Sequence, residues 1–307
     1  MRPAIRKATP LKNRDAFSGF HPAVNFLFFA LVLLFSMCLM HPVSLGISLA
    51  GAVSYQVLLN GRKGARFSLV FMLPMMLLAA LVNPVFNHEG ATILTYLPSG
   101  NPLTVESIWY GLAAAAMLAA VLSWFVCYTA VMTSDKFVYL FGRVIPALSL
   151  VLSMTLRFVP RFKAQLDTVK EAQASIGRDP GEGSVLQRLK KAVTVLSIMV
   201  TWSLENAIET ADSMRCRGYG LPGRTAFSIY CLDSRDKLAL GWLLLCGLYL
   251  CGGWAAGQFA WRYYPTIKGA VGLLPFSFQA VYLALSFTPV FLDLREDAKW
   301  KRLASEI

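Results

Sequence analysis

The sequence carries no Walker A loop, no G-x-S-x-G elbow and no H-E-x-x-H pair, so no motif in it marks an ATPase, serine-hydrolase or metalloprotease centre. Its six cysteines (38, 127, 216, 231, 246 and 251) include no C-x-x-C pair. Four fall in or near apolar runs, which argues for free thiols over a disulfide framework. Apolar–polar alternation is nearly absent, which favours helices over a β-barrel. His88-Glu89 is the one hint of a metal site, and two adjacent ligands without a third nearby read as surface polar residues. The long apolar runs contain almost no ionisable residue, Glu106 lying at a run's end. A self-contained secondary transporter or channel, the alternative class, usually keeps such groups near the bilayer midplane.

What the chain does have is hydrocarbon. Of 307 residues, 56% are hydrophobic, and mean hydropathy is +0.54. A bilayer core of about 30 Å takes about 20 apolar helical residues to cross. Six runs qualify: Pro22–Met40, Val43–Leu59, Phe67–Phe86, Glu106–Met132, Leu238–Ala256 and Ala270–Leu292. The fold class is therefore an all-α integral membrane protein with about six transmembrane helices. The first run is too long for a signal peptide and lacks a small-x-small cleavage site, so it is retained. Pro74 and Pro84 predict a kink or break in the third run. The fourth is rich in alanine (Ala113–Ala116, Ala119, Ala120), which lets helices approach closely.

The net charge of +12 is a topology signal and not a nucleic-acid footprint. With the N-terminus in the cytoplasm, 27 of the 29 Lys and Arg fall on the cytoplasmic side, only Arg262 and Lys268 remaining outside. Both termini are then cytoplasmic by the positive-inside rule. The segment from Asn87 to Thr104 has no Lys or Arg and reads as an external loop. Three regions follow: 1–132, a basic tail (residues 1–21) and four spans; 133–237, a charged cytoplasmic insert; and 238–307, the last two spans and a tail.

The insert carries 15 of the basic residues, from Lys136 to Lys237. Thr133-Ser134-Asp135 is a capping cluster for its first helix. Phe137–Val159 is mostly apolar, broken by Gly142, Arg143 and Pro146, and either embeds in the interface or enters the bundle. Arg157-Phe158-Val159-Pro160-Arg161 is expected to turn the chain into an amphipathic helix over Phe162–Ile176, stopped by Gly177 and Pro180. A second helix runs from Val185 to about Cys216, roughly 45 Å at 1.5 Å per residue, and Gly218 ends it. Its stripe includes Leu186, Leu189, Val193, Leu196 and Met199. Arg217 either caps its own helix, with Gly218 supplying a left-handed turn, or offers a planar guanidinium to a partner carboxylate.

Met154-Thr155-Leu156-Arg157-Phe158-Val159-Pro160, then Glu171-Ala172-Gln173-Ala174, then Arg215-Cys216-Arg217-Gly218-Tyr219-Gly220 together resemble the transmembrane T component of energy-coupling factor transporters, the cobalt-transport permease family. The resemblance implies a non-catalytic subunit in a prokaryotic cell membrane that needs no cofactor. Its implied partners are two ABC-type ATPase subunits and a small substrate-binding membrane subunit, for uptake of a vitamin or transition-metal ion. In that family two Ala-Arg-Gly motifs end two cytoplasmic coupling helices and insert into the ATPases. Arg217 and Gly218 match the second motif, with Cys216 in place of alanine and Arg215 just before. The first motif departs: Ser175-Ile176-Gly177 lacks the arginine. Arg178 follows, turned by about 100° if the helix continued. Leu189, Val193 and Leu196 are expected to pack the coupling helices on one another.

Overall fold

The computed structural model describes residues 15–61, 64, 66, 68–87, 89–96, 102–142, 145–179, 181, 183–222, 230–269 and 272–305. The basic residues from Arg2 to Arg14, with Arg62, Lys63, His88, Pro98, Gly100, Arg143 and Pro180, lie outside them. The chain forms two compact units, residues 1–133 with 230–307, and residues 134–229.

The first unit is a bundle of apolar helices: α1 (Pro22–Cys38), α2 (Pro42–Asn60), α3 (Leu73–Phe86), α4 (Val105–Val131), α8 (Ser234–Ala255) and α9 (Leu273–Ser305). Between α4 and α8 the second unit contributes α5 (Ser134–Gly142), α6 (Pro146–Ser175) and α7 (Val185–Cys216). Among the described residues four helices, α2, α4, α8 and α9, are long and apolar enough to cross a membrane, while Pro22–Cys38 and Val70–Phe86 are shorter apolar helices. Each of the six apolar runs thus holds a helix over most of its described residues, and α9 continues well past Leu292. A π-helical stretch, Ser68–Met72, leads directly into α3 with Pro74 at the junction, and Pro84 lies inside α3, which does not break there.

Aromatic packing fills the core. Phe17, Phe28, Phe29, Tyr55 and Trp124 are all buried, and Phe28 meets Phe17 at 5.0 Å and Trp124 at 5.7 Å between ring centroids. Ala113, Ala115, Ala119 and Ala120 of α4 are buried, the close approach expected of small side chains. Hydroxyls tie the helices across this core: Trp124 Nε1 donates to Ser48 Oγ at 3.1 Å, and Ser44 Oγ donates to Gln279 Oε1 at 2.9 Å. Such bonds satisfy polar atoms that hydrocarbon cannot.

The polar tail is shorter than its composition suggests. Asp15 accepts from the Tyr55 hydroxyl, the Ala16 N–H donates to Asp293 Oδ1 at 2.6 Å, and Phe17 and Phe20 are buried in the bundle. Residues 15–21 therefore belong to the packed unit. Within the segment expected to lie outside, β1 (Ile93–Tyr96) pairs with β2 (Pro102–Thr104), and a second pair joins β3 (Trp261–Arg262) to β4 (Lys268–Gly269). Tyr263 is buried there and donates to Met40 O at 2.9 Å, and burial beside Tyr110 pushes its hydroxyl pKa up to about 12. Two His-Pro pairs start helices: the Nδ1 atoms of His21 and His41 accept from the N–H of Ala23 and Val43, each at 3.2 Å. A proline at the first helical position suits this arrangement, because its absent N–H would have been an orphan.

Candidate functional site

The site is the pair of long helices in the second unit. Amphipathic spacing and good helix formers make both, and Ser184 starts α7 with a capping box. Its hydroxyl accepts from the Gln187 N–H at 3.5 Å while Gln187 Oε1 accepts from the Ser184 N–H at 3.1 Å. Ser-x-x-Gln ahead of an apolar run is a legible sequence signal for this.

No turn forms at Arg157–Arg161. α6 runs unbroken from Pro146 to Ser175 with Pro160 inside it. Proline removes one backbone donor and strains a helix interior by roughly 3 kcal/mol. The good helix formers on both sides, and the packing of the following segment against α7, carry the helix across it. Phe137–Val159 is accordingly divided: Phe137–Gly142 lies in α5, and residues 146–159 open α6. Asp135 sits in the first turn of α5, where a carboxylate suits the positive end of the helix dipole.

The two helices pack antiparallel. Val169 of α6 is buried with Val195 and Met199 of α7, and Phe162, Leu166 and Trp202 pack around them. The Phe162 and Trp202 rings meet edge-on at 5.2 Å. Lys191 Nζ donates to Asp179 O at 2.9 Å beside the connecting turn. The expected contact through Leu189, Val193 and Leu196 is corrected: these are 61%, 57% and 62% exposed. They lie roughly 120° around α7 from Val195, Met199 and Trp202 at 100° per residue. The helix thus carries two apolar stripes, and the one with bulkier, mixed side chains makes the intramolecular contact.

Both helices end the same way. The Arg178 N–H donates to Gln173 O at 2.9 Å and the Gly177 N–H to Ala174 O at 2.9 Å; the Tyr219 N–H donates to Met214 O at 3.0 Å and the Gly218 N–H to Arg215 O at 3.0 Å. Gly177 and Gly218 are left-handed, with φ of 74° and 78°. These are two copies of one Schellman ending. Residue for residue, Ser175 occupies the place of Cys216, Ile176 that of Arg217, and Arg178 that of Tyr219. Ile176 (φ −99°, ψ 20°) and Arg217 (φ −84°, ψ 9°) have nearly the same backbone. Arg178 therefore does not continue the helix and follows the glycine turn instead. Ser175, Ile176, Gly177, Arg178, Arg215, Cys216 and Arg217 are all exposed, and Gly218 is half-buried. Arg217 is the C-cap residue through its backbone, while its guanidinium makes no hydrogen bond or ion pair among the described residues.

A cleft of about 690 Å³ opens between the first half of α6 and the end of α7. Arg157, Arg161 and Arg217 line it beside Leu150, Met154 and Phe158. Arg157 and Arg161 are four residues apart and so share one face of α6. Placed in a turn by the sequence reading, they were not recognised as a pair, although their spacing was the available signal.

Residues 18–227 match the cobalt transport protein family, CbiQ, which is more than half of the chain. The chain belongs to the CbiQ family. It is 40% identical over 105 residues to the energy-coupling factor transporter transmembrane protein EcfT of Lacticaseibacillus paracasei, covering 34% of this chain and 40% of that protein. A Listeria monocytogenes protein named EcfT 1 is 36% identical over 93 residues, 30% of this chain and 35% of the relative. The EcfT of Macrococcus caseolyticus is 25% identical over 236 residues, 70% of this chain and 84% of that protein. The first of these alignments spans about two fifths of the relative's length. In this CbiQ-family chain the matched region takes in four bundle helices and both helix tips.

Proposed function

We propose that this chain is the T component of an energy-coupling factor importer, a non-catalytic subunit that passes the motion of two ABC-type ATPases to a membrane-embedded substrate-binding subunit. The observation that carries this is the pair of matching helix ends, Ser175–Arg178 and Cys216–Tyr219, on a packed antiparallel pair of rods. Each tip is a rigid, glycine-turned end, and the exposed Arg217 guanidinium is free to donate paired bonds to a carboxylate. The ATPases dock on these tips from the cytoplasm, and both termini of the chain are cytoplasmic.

Ile176 stands where Arg217 stands on the other helix, so the α6 tip makes an apolar contact in place of a charged one. Leu189, Val193 and Leu196, exposed along α7, form the surface that meets an apolar partner, the substrate-binding subunit. The substrate class is a vitamin or a transition-metal ion. Copurification of the parent chain and its Arg217→Ala and Arg217→Glu variants with the ATPases tests this. Loss of ATPase association in the variants, with normal expression, is expected; full association and uptake by both would overturn the role of Arg217.

A further inference from the structure

Three guanidiniums and one carboxylate, Glu209, share the α6–α7 cleft. Arg161 is held there with its guanidinium 5.7 Å from the centroid of the Trp202 ring. Asn206, 7% exposed, also lines the cleft. Leu150, Met154 and Phe158 add apolar surface on the same face of α6, while the facing wall from α7, with Glu209, Thr210 and Ser213, is mostly polar. From Pro146 through Leu166 the sequence has no acidic residue but has Arg157, Arg161 and Lys163. On other faces of the same segment Val151 and Val159 are 59% and 61% exposed. Exposed aliphatic side chains with a basic, acid-free flank are the marks of a helix lying in an anionic membrane surface.

We propose that this cleft binds one anionic phospholipid. Its phosphodiester takes bonds from Arg157 and Arg161, spaced one helical turn apart, while the glycerol and upper acyl chain lie against Leu150, Met154 and Phe158. Guanidinium planes match a phosphate bidentately, and Asn206 supplies a donor to a headgroup oxygen. The lipid fixes the rods at a set depth in the interface through Arg157 and Arg161, while Arg217, at the α7 end of the same cleft, is left to the ATPase contact.

The full-length protein in detergent, offered equal phosphatidylglycerol and phosphatidylcholine, tests this by native mass spectrometry. The parent is expected to retain phosphatidylglycerol preferentially. Each guanidinium near an anionic surface contributes about fivefold. Arg157→Gln alone should therefore lower retention about fivefold, and Arg157→Gln with Arg161→Gln roughly 30-fold. Replacing both by Lys, which keeps the charge without the planar fork, should restore part of it, which keeps the test decisive should the double Gln variant fold poorly. Arg188→Gln, at the far end of α7, should leave retention unchanged. Equal retention of the two lipids, or undiminished phosphatidylglycerol on the double Gln variant, would overturn the proposal. So would loss of ATPase association with lipid retention intact, which would assign the cleft to a protein partner. Displacement of the lipid by equimolar inorganic phosphate would likewise reduce the site to a simple anion site.

Discussion

Replacing Arg217 is the sharpest perturbation of the proposed coupling. The side chain is exposed and bonded to nothing in the described chain, so Arg217→Ala should change the subunit's own stability by no more than about 0.5 kcal/mol. Its effect should appear only with the ATPases present. A hydrogen-bonded charge pair formed on docking contributes about 1.5–3 kcal/mol, so association should weaken by roughly 10- to 150-fold. Arg217→Lys keeps the charge but loses the planar fork and should fall between parent and Ala. Arg217→Glu adds repulsion and should be worse than Ala. Titration of purified ATPases onto the detergent-solubilised chain reads the affinity, and uptake in reconstituted vesicles reads the coupling. An Ala variant with parental affinity and uptake would refute the assignment. So would an Ala variant that had lost its helical fold, because the side chain would then be structural.

Other consequences separate the two ends of the rods from their middle. Gly177→Ala and Gly218→Ala each place a Cβ at a left-handed φ and should cost about 1 kcal/mol or more, seen as faster amide exchange at the last turn of α6 or α7. At Gly218 the new Cβ also lies 3.1 Å from Leu221 Cδ1, so that variant should be the worse of the two. Met199→Ala should cost 2–5 kcal/mol of α6–α7 packing, whereas Leu189→Ala should leave the isolated subunit's melting temperature unchanged and weaken only its partner complex. Burial lowers the pKa of His41 from its ordinary 6.5, and its neutral Nδ1 caps α2. The unfolded chain binds that proton more readily than the folded one, so the stabilisation is complete above pH 6.5 and is lost as pH falls through the lowered value. The melting temperature should drop on acidification below 6.5, less so in His41→Asn, whose amide caps without titrating.

The bundle was legible because hydrocarbon sets a length, and runs of about 20 apolar residues need no partner to be recognised. The ends of α7 were legible for a different reason: Gly218 is a punctuation residue, and Val185 follows a capping serine. The middle of α6 was misread because Pro160 breaks most helices, and nothing local shows that packing on both sides of it will carry the helix through. The packed face of α7 was misread because Leu189, Val193 and Leu196 form the purer aliphatic stripe. Val195, Met199 and Trp202 win intramolecularly because Phe162 and Val169 face them, which is information held some 30 residues away. The likeness of the two tips was hidden for a related reason. Ile176 and Arg217 share nothing as side chains, and only the hydrogen bonds of Gly177 and Gly218 reveal that they hold the same position. The packing of residues 15–21 rests on distant partners too, Tyr55 and Asp293.

Cys216 offers the most direct test of docking at the tips, since it is an exposed native thiol one residue before Arg217. In a variant whose other five cysteines are replaced, inside-out vesicles would be treated with a membrane-impermeant maleimide, with and without the ATPase subunits. Rapid labelling of Cys216 that falls to near nothing once the ATPases are bound is the expected result. Labelling only from the outer face, or at an undiminished rate in the assembled complex, would contradict the account.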